Sequence, residues 1–204
     1  FNAIAGNFRL DRGQILLDGT DLTWMPEHRR ARSIGRLFQD PMLGSAPGMT
    51  IEENLALAAG GKHWLGIPSR AEKRAFRERV AALGMGLEDR MQQPVGLLSG
   101  GQRQALTLMM ATYPPPKLLL LDVHTAALDP GTAEKVLTIT KQIIAENRLT
   151  CLMITHNMES ALQLGNRTVM MDHGSIIFDV SGAERAALTV PQLLEKFKEH
   201  SGKA

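Results

Sequence analysis

The stretch Lys117-Leu118-Leu119-Leu120-Leu121-Asp122 decides the fold of this chain. Its unbroken apolar run predicts a strand that is buried on both faces, as strands of parallel sheets are. A helical pattern over residues 130–147 follows, and then a second apolar run over residues 150–155. Strands that alternate with helices in this way predict an α/β fold with a parallel sheet covered on both faces.

Helices and further strands are predicted on both sides of this stretch from apolar spacing and turn residues. The predicted strands outside it are residues 13–19, 33–38, 167–171 and 175–178, the last two forming an antiparallel hairpin. The predicted helices outside it are residues 51–59, 69–83, 99–113 and 157–164. Residues 1–6 are expected to be the end of a helix that Gly6 closes.

The composition of the 204 residues excludes several classes of protein. Apolar residues make up 44% and charged residues 22%, which excludes disordered, collagen-like and coiled-coil chains. A net charge of +2 without a basic stripe gives no support for nucleic acid as a partner. Cys151 is the single cysteine, so no disulfide forms within the chain and a reducing compartment is expected. No apolar run approaches the roughly 20 residues that cross a membrane.

The segment Leu98-Ser99-Gly100-Gly101-Gln102 is the most specific chemical signal in the sequence. Glycines at a helix start let backbone N–H groups approach a ligand closely, and the helix terminus adds partial positive charge. The segment therefore predicts an anion site suited to a phosphate. The alternative is a plain serine N-cap followed by a glycine-rich turn, because serine is a common cap.

Four further polar residues follow predicted strands or begin a helix, and each has an ordinary alternative. Asp122 ends a buried strand at the sheet edge where ligands bind and where nucleotide hydrolases hold Mg²⁺; alternatively, it only ends the strand. Gln39 can reach a metal or a water and His156 a phosphate or a water, but both also suit a plain turn. Asp129, directly before Pro130, is a good helix N-cap.

The order and spacing of these residues resemble those of the ATPase subunits of ABC transporters, over essentially the whole chain. Gln39 matches the Q-loop of that family, and His156 matches its switch histidine. The segments that match the signature motif, the Walker B motif and the D-loop are residues 98–102, 118–122 and 127–129 (Ala127 to Asp129). The resemblance implies a single ABC-type ATPase domain over residues 1–204. Its fold would be a P-loop NTPase-like parallel sheet core with an antiparallel β edge and an inserted helical subdomain at about 51–110.

The resemblance also implies cofactors, partners and roles for single residues. ATP and Mg²⁺ are the expected cofactors, with Asp122 and Gln39 at the metal and with Gln39 and His156 catalytic. The residues implied to contact nucleotide are Ser99, Gly100, Gly101, Gln102 and Asp129. Two ATPase subunits, identical or paired, would enclose ATP and act on transmembrane permease subunits, with a solute-binding protein as an optional further partner. The expected location is the cytoplasmic face of the cell membrane.

The chain departs from this family at the phosphate loop, since it contains no G-x-x-x-x-G-K-[ST] segment. Residues 1–6 resemble the end of the helix that follows this loop. We therefore expect a longer natural chain with the loop a few residues before Phe1, because a domain of this class is not expected to start within a helix.

The second departure is Val123, where the family usually has the glutamate that orients or deprotonates the attacking water. Valine cannot accept a proton, and a general base contributes roughly 10²–10⁴-fold to a rate. His124 is adjacent but is expected to face the other side, because successive residues that leave a strand alternate. Two explanations stay open: a single-base change from Glu, or a degenerate site that binds ATP and hydrolyses it slowly.

Two other functions compete with that of a transporter subunit. A soluble ABC ATPase of DNA repair needs a long coiled-coil insertion, but only residues 40–98 lie between Gln39 and Ser99; translation types carry two cassettes in one chain. A non-hydrolytic, ABC-like interaction module is suggested by Val123 and the missing loop. The sequence does not name the solute, and import of a small polar solute such as an amino acid in a bacterial-type system is the expectation.

Overall fold

The computed structural model describes residues 1–60, 68–122 and 128–201. The chain divides into two compact units, residues 1–153 and 154–204. The helices of the first unit are α1 (Asn2–Ala5), α2 (Glu27–Arg30), α3 (Ile51–Ala58), α4 (Arg70–Ala81), α5 (Gly100–Ala111) and α6 (Pro130–Asn147). Its strands are β1 (Leu16–Leu17), β2 (Thr20–Asp21), β3 (Ile34–Leu37), β4 (Leu118–Asp122) and β5 (Thr150–Ile154), the last residue of which belongs to the second unit.

Side-chain caps fix where the long helices of the first unit begin. Thr50, Ser69 and Ser99 each accept a hydrogen bond from the backbone N–H three residues later, and a Glu or Gln at that position accepts one in return. Asp129 caps α6, with Pro130 as its first residue. Each cap satisfies N–H groups that a helix start otherwise leaves unpaired. The predicted starts of these four helices are confirmed to within a residue.

The sheet of the first unit has the strand order β3-β4-β5, and β3 pairs with β4 in parallel. All four leucines of β4 are buried. Leu119 and Leu121 pack in a core to which α3, α4, α5 and α6 contribute. Leu118 and Leu120 pack on the opposite face, against α1 and the hairpin of β1 and β2. The predicted parallel strand buried on both faces is therefore confirmed at β4.

Residues 51–110 contain α3, α4 and most of α5, and their apolar side chains share one core with β4. They belong to the first unit together with the sheet. Their separation as an inserted helical subdomain at about 51–110, part of which lies outside the described residues, stays a prediction.

Strand β5 differs from the prediction of a sheet covered on both faces. Leu152 and Ile154 are each 44% exposed. Cys151 and Met153 alternate with them and pack against the core. The prediction is wrong for β5, because an apolar run does not reveal whether another element covers the second face of a strand.

The N-terminal segment contains less strand than predicted. Of residues 13–19, only Leu16 and Leu17 form a strand, which turns back through Asp18 and Gly19 into β2. Both turn residues have positive φ, 50° and 73°, as the two-residue turn of a tight hairpin requires. The predicted helix end at Gly6 is confirmed, since α1 closes there in the left-handed conformation.

The second unit contains α7 (Met158–Gln163), β6 (Arg167–Asp172), β7 (Ser175–Ser181), α8 (Gly182–Ala187) and α9 (Val190–Ser201). The predicted short helix and antiparallel hairpin are confirmed, whereas α8 and α9 were not predicted. Arg185 of α8 donates to the carbonyl oxygens of Ala161, Leu162 and Leu164 and so caps the end of α7. No helix within the described part of the chain has the length and apolar character needed to cross a membrane.

Candidate functional site

Strands β3 and β4 end side by side at one edge of the sheet. Their parallel register pairs Leu37 with Leu121, so Phe38 comes opposite Asp122 and Gln39 follows. Asp122 is half-buried and Gln39 is exposed. The structure thus brings these two predicted site residues to the C-terminal edge of parallel strands, where open α/β sheets bind their ligands.

The carboxylate of Asp122 belongs to one defined face of the sheet. Side chains alternate along a strand, so Asp122 shares the face of the β4 leucines against which α1 packs. Buried Arg30 fixes the end of α1 by donating to the carbonyl oxygens of Ala3 (2.8 Å) and Ile4 (3.0 Å). The end of α1 is therefore held against the face to which Asp122 belongs.

Ser99 is the N-cap of α5. Its hydroxyl accepts from the N–H of Gln102 (3.3 Å), and its own N–H donates to Oε1 of Gln102 (3.1 Å). A helix start leaves four N–H groups without intrahelical partners. Two are satisfied by this capping box, and those of Gly100 and Gly101 have no acceptor within residues 1–60, 68–122 and 128–201. The ordinary serine cap is present, and the same geometry leaves glycine N–H groups that suit an anion.

Gln102 and Arg103 hold the loop before α5. Nε2 of Gln102 donates to the carbonyl oxygen of Met85 (3.3 Å), so both ends of its amide are bound within the chain. Arg103 was not predicted as a site residue. It donates to the carbonyl oxygens of Val95, Gly96 and Leu98 at 3.3, 3.0 and 2.8 Å. The sequence carries no signal for these contacts, because their acceptors are backbone groups that every residue has.

The two glycines of this segment lie against the start of α6 and the residue before its cap. A Cβ atom placed on Gly100 would come within 3.3 Å of Cδ2 of Leu128. A Cβ atom placed on Gly101 would overlap the Cγ2 methyl group of Thr132. Gly101 is buried, and Gly100 is exposed. The two glycines therefore have different surroundings within the chain itself.

Asp129 is the N-cap of α6, as its place directly before Pro130 predicted. Its Oδ1 accepts from the N–H of Thr132 at 3.0 Å. A side-chain hydrogen bond and this backbone hydrogen bond, both from Thr132, hold the pKa of the Asp129 carboxyl below its usual value. The predicted contact of Asp129 with nucleotide stays a prediction.

Three residues singled out in the sequence, Val123, His124 and Ala127, lie outside the described residues. The prediction that Val123 stands at the position of the catalytic base therefore rests on the sequence. The same is true of residue 127 in the segment that matches the D-loop.

His156 lies in the second unit, between β5 and α7, and is exposed. Its neighbours are fixed on both sides. The N–H of Asn157 donates to Oγ1 of Thr155 (3.1 Å), and Oδ1 of Asn157 accepts from the N–H of Ser160 (2.9 Å). The cap of α7 is thus Asn157, and the ring of His156 lies at the surface of its unit. Its role at the nucleotide stays a prediction.

The donors at the sheet edge suit a magnesium ion. Mg²⁺ prefers oxygen ligands and is usually held by one or two carboxylates together with substrate phosphates. Asp122 offers a carboxylate and Gln39 an amide oxygen. Within residues 1–60, 68–122 and 128–201, no three His, Cys, Asp or Glu side chains form a metal-binding group. An ion at this edge would therefore complete its coordination with water and phosphate oxygens.

The sequence is similar to those of transport ATPases. A profile of the ABC transporter family matches residues 1–126. The chain is 41% identical over 199 residues to the tyrosine transport ATP-binding protein of Clostridioides difficile, covering 97% of this chain and 79% of that protein. It is 34% identical over 175 residues to the thiamine import ATP-binding protein ThiQ of Salmonella paratyphi A, covering 86% of this chain and 71% of that protein. It is also 33% identical over 186 residues to a putative ABC transporter ATP-binding protein of Bacillus anthracis, covering 91% of this chain but only 32% of that longer protein.

The fold is shared with solved structures. A nucleotide-free ATP-binding cassette from an ABC transporter superimposes with a TM-score of 0.76 at 24% identity, covering 96% of this chain and 81% of that one. A dimeric ATP-binding cassette in a post-hydrolysis state bound to ADP and Pi superimposes with a TM-score of 0.73 at 23% identity. This match covers 88% of this chain and 78% of that one. At these identities the likeness establishes the fold, a P-loop NTPase-like α/β architecture.

Proposed function

Because the chain belongs to the ATP-binding subunits of ABC transporters, we propose that it binds MgATP between two such subunits and drives solute transport by nucleotide-dependent pairing. The observation that carries the proposal is the start of α5, where an exposed Ser99 is followed by two glycine N–H groups outside the capping box. Such a helix start binds anions through N–H groups that have no intrahelical partner and through its dipole.

Two different surfaces of the chain contribute to this function. The signature segment at Ser99 and Gly100 serves the terminal phosphate of ATP held by the partner subunit. Asp122 and Gln39 serve the metal of the chain's own nucleotide, at the edge where β3 and β4 end. Gln102 acts on the nucleotide indirectly, by fixing Ser99, because both ends of its amide are already bound.

ATP with Mg²⁺ supplies the phosphoanhydride bond whose hydrolysis lets the paired subunits separate. Catalysis needs a group that takes a proton from the attacking water, and Val123 cannot do this. His156 orients the water in this proposal without replacing the missing carboxylate. Hydrolysis is then slow, and the ATP-bound pair persists longer than in a subunit with a glutamate at position 123.

The names of the relatives support a transporter of small solutes. They include tyrosine transport, methionine import and thiamine import ATP-binding proteins. We therefore propose that the pair works at the cytoplasmic face of the membrane on permease subunits that import a small polar solute. An amino acid is the best-supported class, because the 41% identical relative is described as a tyrosine transport protein.

Calorimetric titration with MgATP tests the nucleotide-binding step. The complete gene product and the 204-residue chain are compared, because the 204-residue chain lacks a G-x-x-x-x-G-K-[ST] segment that supplies most phosphate contacts. We expect tight binding by a product that contains this segment and weak binding by the 204-residue chain. No binding by the complete product would favour the second candidate, a non-hydrolytic interaction module, which Val123 supports.

Cell fractionation separates a transporter subunit from a soluble ABC ATPase. The complete gene product is co-expressed with candidate permease subunits encoded next to its gene and, as the control, without them. A transporter subunit should be recovered with the membranes only when the permeases are present. Recovery in the soluble fraction in both cases would favour the soluble ATPase.

A further inference from the structure

Thr132 connects the signature segment to the start of α6. Its backbone N–H donates to Oδ1 of Asp129 at 3.0 Å. Its Cγ2 methyl group lies where a Cβ of residue 101 would be. The side chain is half-buried between these two contacts.

The contact leaves Thr132 little freedom. A β-branched side chain has few accessible χ1 rotamers in a helix, and the half-buried side chain of Thr132 has little room to change between them. Its methyl group lies against Gly101. The start of α5 thus meets the start of α6 through a methyl group against a bare Cα.

We propose that Thr132 is a positioning residue for the signature site: its backbone is anchored at Asp129, and its methyl group fixes where Ser99 and Gly100 present their donors. This inference rests on the proposed function, in which those donors meet the phosphate of the partner's ATP. It also gives Gly101 a role inside its own chain. A side chain at position 101 displaces the start of α5 before any ligand is present.

The substitution Thr132→Ser separates the two parts of the contact. It keeps the hydroxyl group and the backbone N–H that donates to Asp129, and it removes the methyl group. The atoms of residue 132 nearest to a Cβ at position 101 would then be its own Cβ at 3.5 Å and its hydroxyl oxygen at 4.0 Å, which is ordinary van der Waals separation. Thr132→Ser should therefore make room for Gly101→Ala.

Gly100→Ala is the matched control. Its added Cβ meets the flexible end of Leu128 at 3.3 Å and has no atom of Thr132 within 4 Å. Any defect that it causes should be the same with Thr132 and with Thr132→Ser. Rescue that is specific to position 101 would identify the Thr132 methyl group as the cause.

The test measures MgATP-dependent pairing of the complete gene product by analytical ultracentrifugation. The proteins are the wild type, Gly101→Ala, Thr132→Ser, the double variant and the Gly100→Ala controls. Each is used at a temperature at which circular dichroism shows it to be folded. Gly101→Ala should weaken pairing by about tenfold or more, the size expected of a forced overlap. The double variant should pair within about threefold of Thr132→Ser alone, as the removal of that overlap requires.

Each other result has a definite meaning. A double variant as weak as Gly101→Ala would overturn the positioning role, because the approach of a ligand, not Thr132, would then require the glycine. Normal pairing by folded Gly101→Ala would also overturn it. If Gly101→Ala does not fold, recovery of a folded, pairing double variant supports the role and its absence overturns it. A wild type that does not pair with MgATP removes the proposed function itself, and thermal unfolding of the same variants still measures the contact.

Discussion

Leu37 and Leu121 lie side by side as the last register pair of the parallel strands β3 and β4. The next residues along the two strands are Phe38 and Asp122, and Gln39 follows. Two residues 83 positions apart in the sequence, Gln39 and Asp122, thus reach one sheet edge. The metal site of the proposed function depends on this register.

The first prediction concerns the metal dependence of nucleotide binding. Asp122→Asn keeps the size of the side chain and removes its negative charge. We expect the Mg²⁺-dependent part of ATP affinity in the complete gene product to fall by at least about tenfold, as for the loss of a metal-site group, while binding in EDTA is unchanged. Calorimetry with and without Mg²⁺ measures both.

Asp172→Asn is the control, since Asp172 is also half-buried at the end of a strand but lies in the hairpin of the second unit. It should leave the Mg²⁺ dependence as in the wild type. An equal loss in both variants, or no loss in Asp122→Asn, would remove Asp122 from the metal site.

The second prediction separates the two roles of Ser99. Aspartate and asparagine cap helices about as well as serine, whereas Ser→Ala at an N-cap costs about 1 kcal/mol. Ser99→Asp should therefore keep the Tm of the wild type but abolish MgATP-dependent pairing, because like charges across an interface repel. Ser99→Asn should keep both the Tm and the MgATP-dependent pairing of the wild type. Ser99→Ala should lower the Tm. Normal pairing by Ser99→Asp would show that no phosphate comes to this residue.

The third prediction concerns Val123. Val123→Glu should raise the rate of phosphate release by the complete gene product about 10²-fold or more, the size of a general-base contribution. ATP affinity should change little. Val123→Gln is the control, because its amide has a similar shape and cannot take a proton. Equal turnover of the wild type and Val123→Glu would mean that position 123 does not carry the base.

The fourth prediction is a pH dependence of stability that arises at Asp129. The pKa of this carboxyl is lowered in the folded chain by its hydrogen bonds from Thr132. Its contribution to folding is therefore fully present above the ordinary value of 3.8 and is lost as the pH falls through the lower folded value. Asp129→Asn keeps a cap that does not titrate. The Tm advantage of the wild type over Asp129→Asn should thus shrink as acid is added.

Ser69→Asn provides the comparison for that experiment. It exchanges one uncharged cap for another at the start of α4, so the Tm difference from the wild type should not depend on pH. A pH-independent difference for Asp129→Asn as well would show that the Asp129 cap does not depend on its charge.

The parts of the fold that were predicted have local signals. A capping box joins residues three apart, such as Thr50 and Glu53, so the start of α3 could be predicted from a short window. The strand 118–122 was predictable because four leucines in a row fit only a buried element. The exposure of the second face of β5 was not predictable, because whether a strand is covered depends on elements elsewhere in the chain.

The interior of the candidate site could not be predicted, because its contacts join distant residues through their shape or through backbone groups that every residue has. Gly101 and Thr132 meet through a bare Cα and a methyl group, and Gln102 meets the backbone of residue 85. Helix α9 shows a different failure. Its apolar residues have the i, i+3, i+4, i+7 spacing of an amphipathic helix, namely Val190, Leu193, Leu194 and Phe197. This helix therefore had a local signal, although it was not predicted.

Sedimentation of the complete gene product with MgATP, with MgADP and without nucleotide shows whether pairing depends on ATP, with Ser99→Asp run beside the wild type. We expect a dimer in MgATP and a monomer in the other two conditions, with the variant monomeric throughout. A wild type whose mass is the same in all three conditions would contradict nucleotide-dependent pairing. A Ser99→Asp variant that dimerises in MgATP would contradict the role of the signature segment in it.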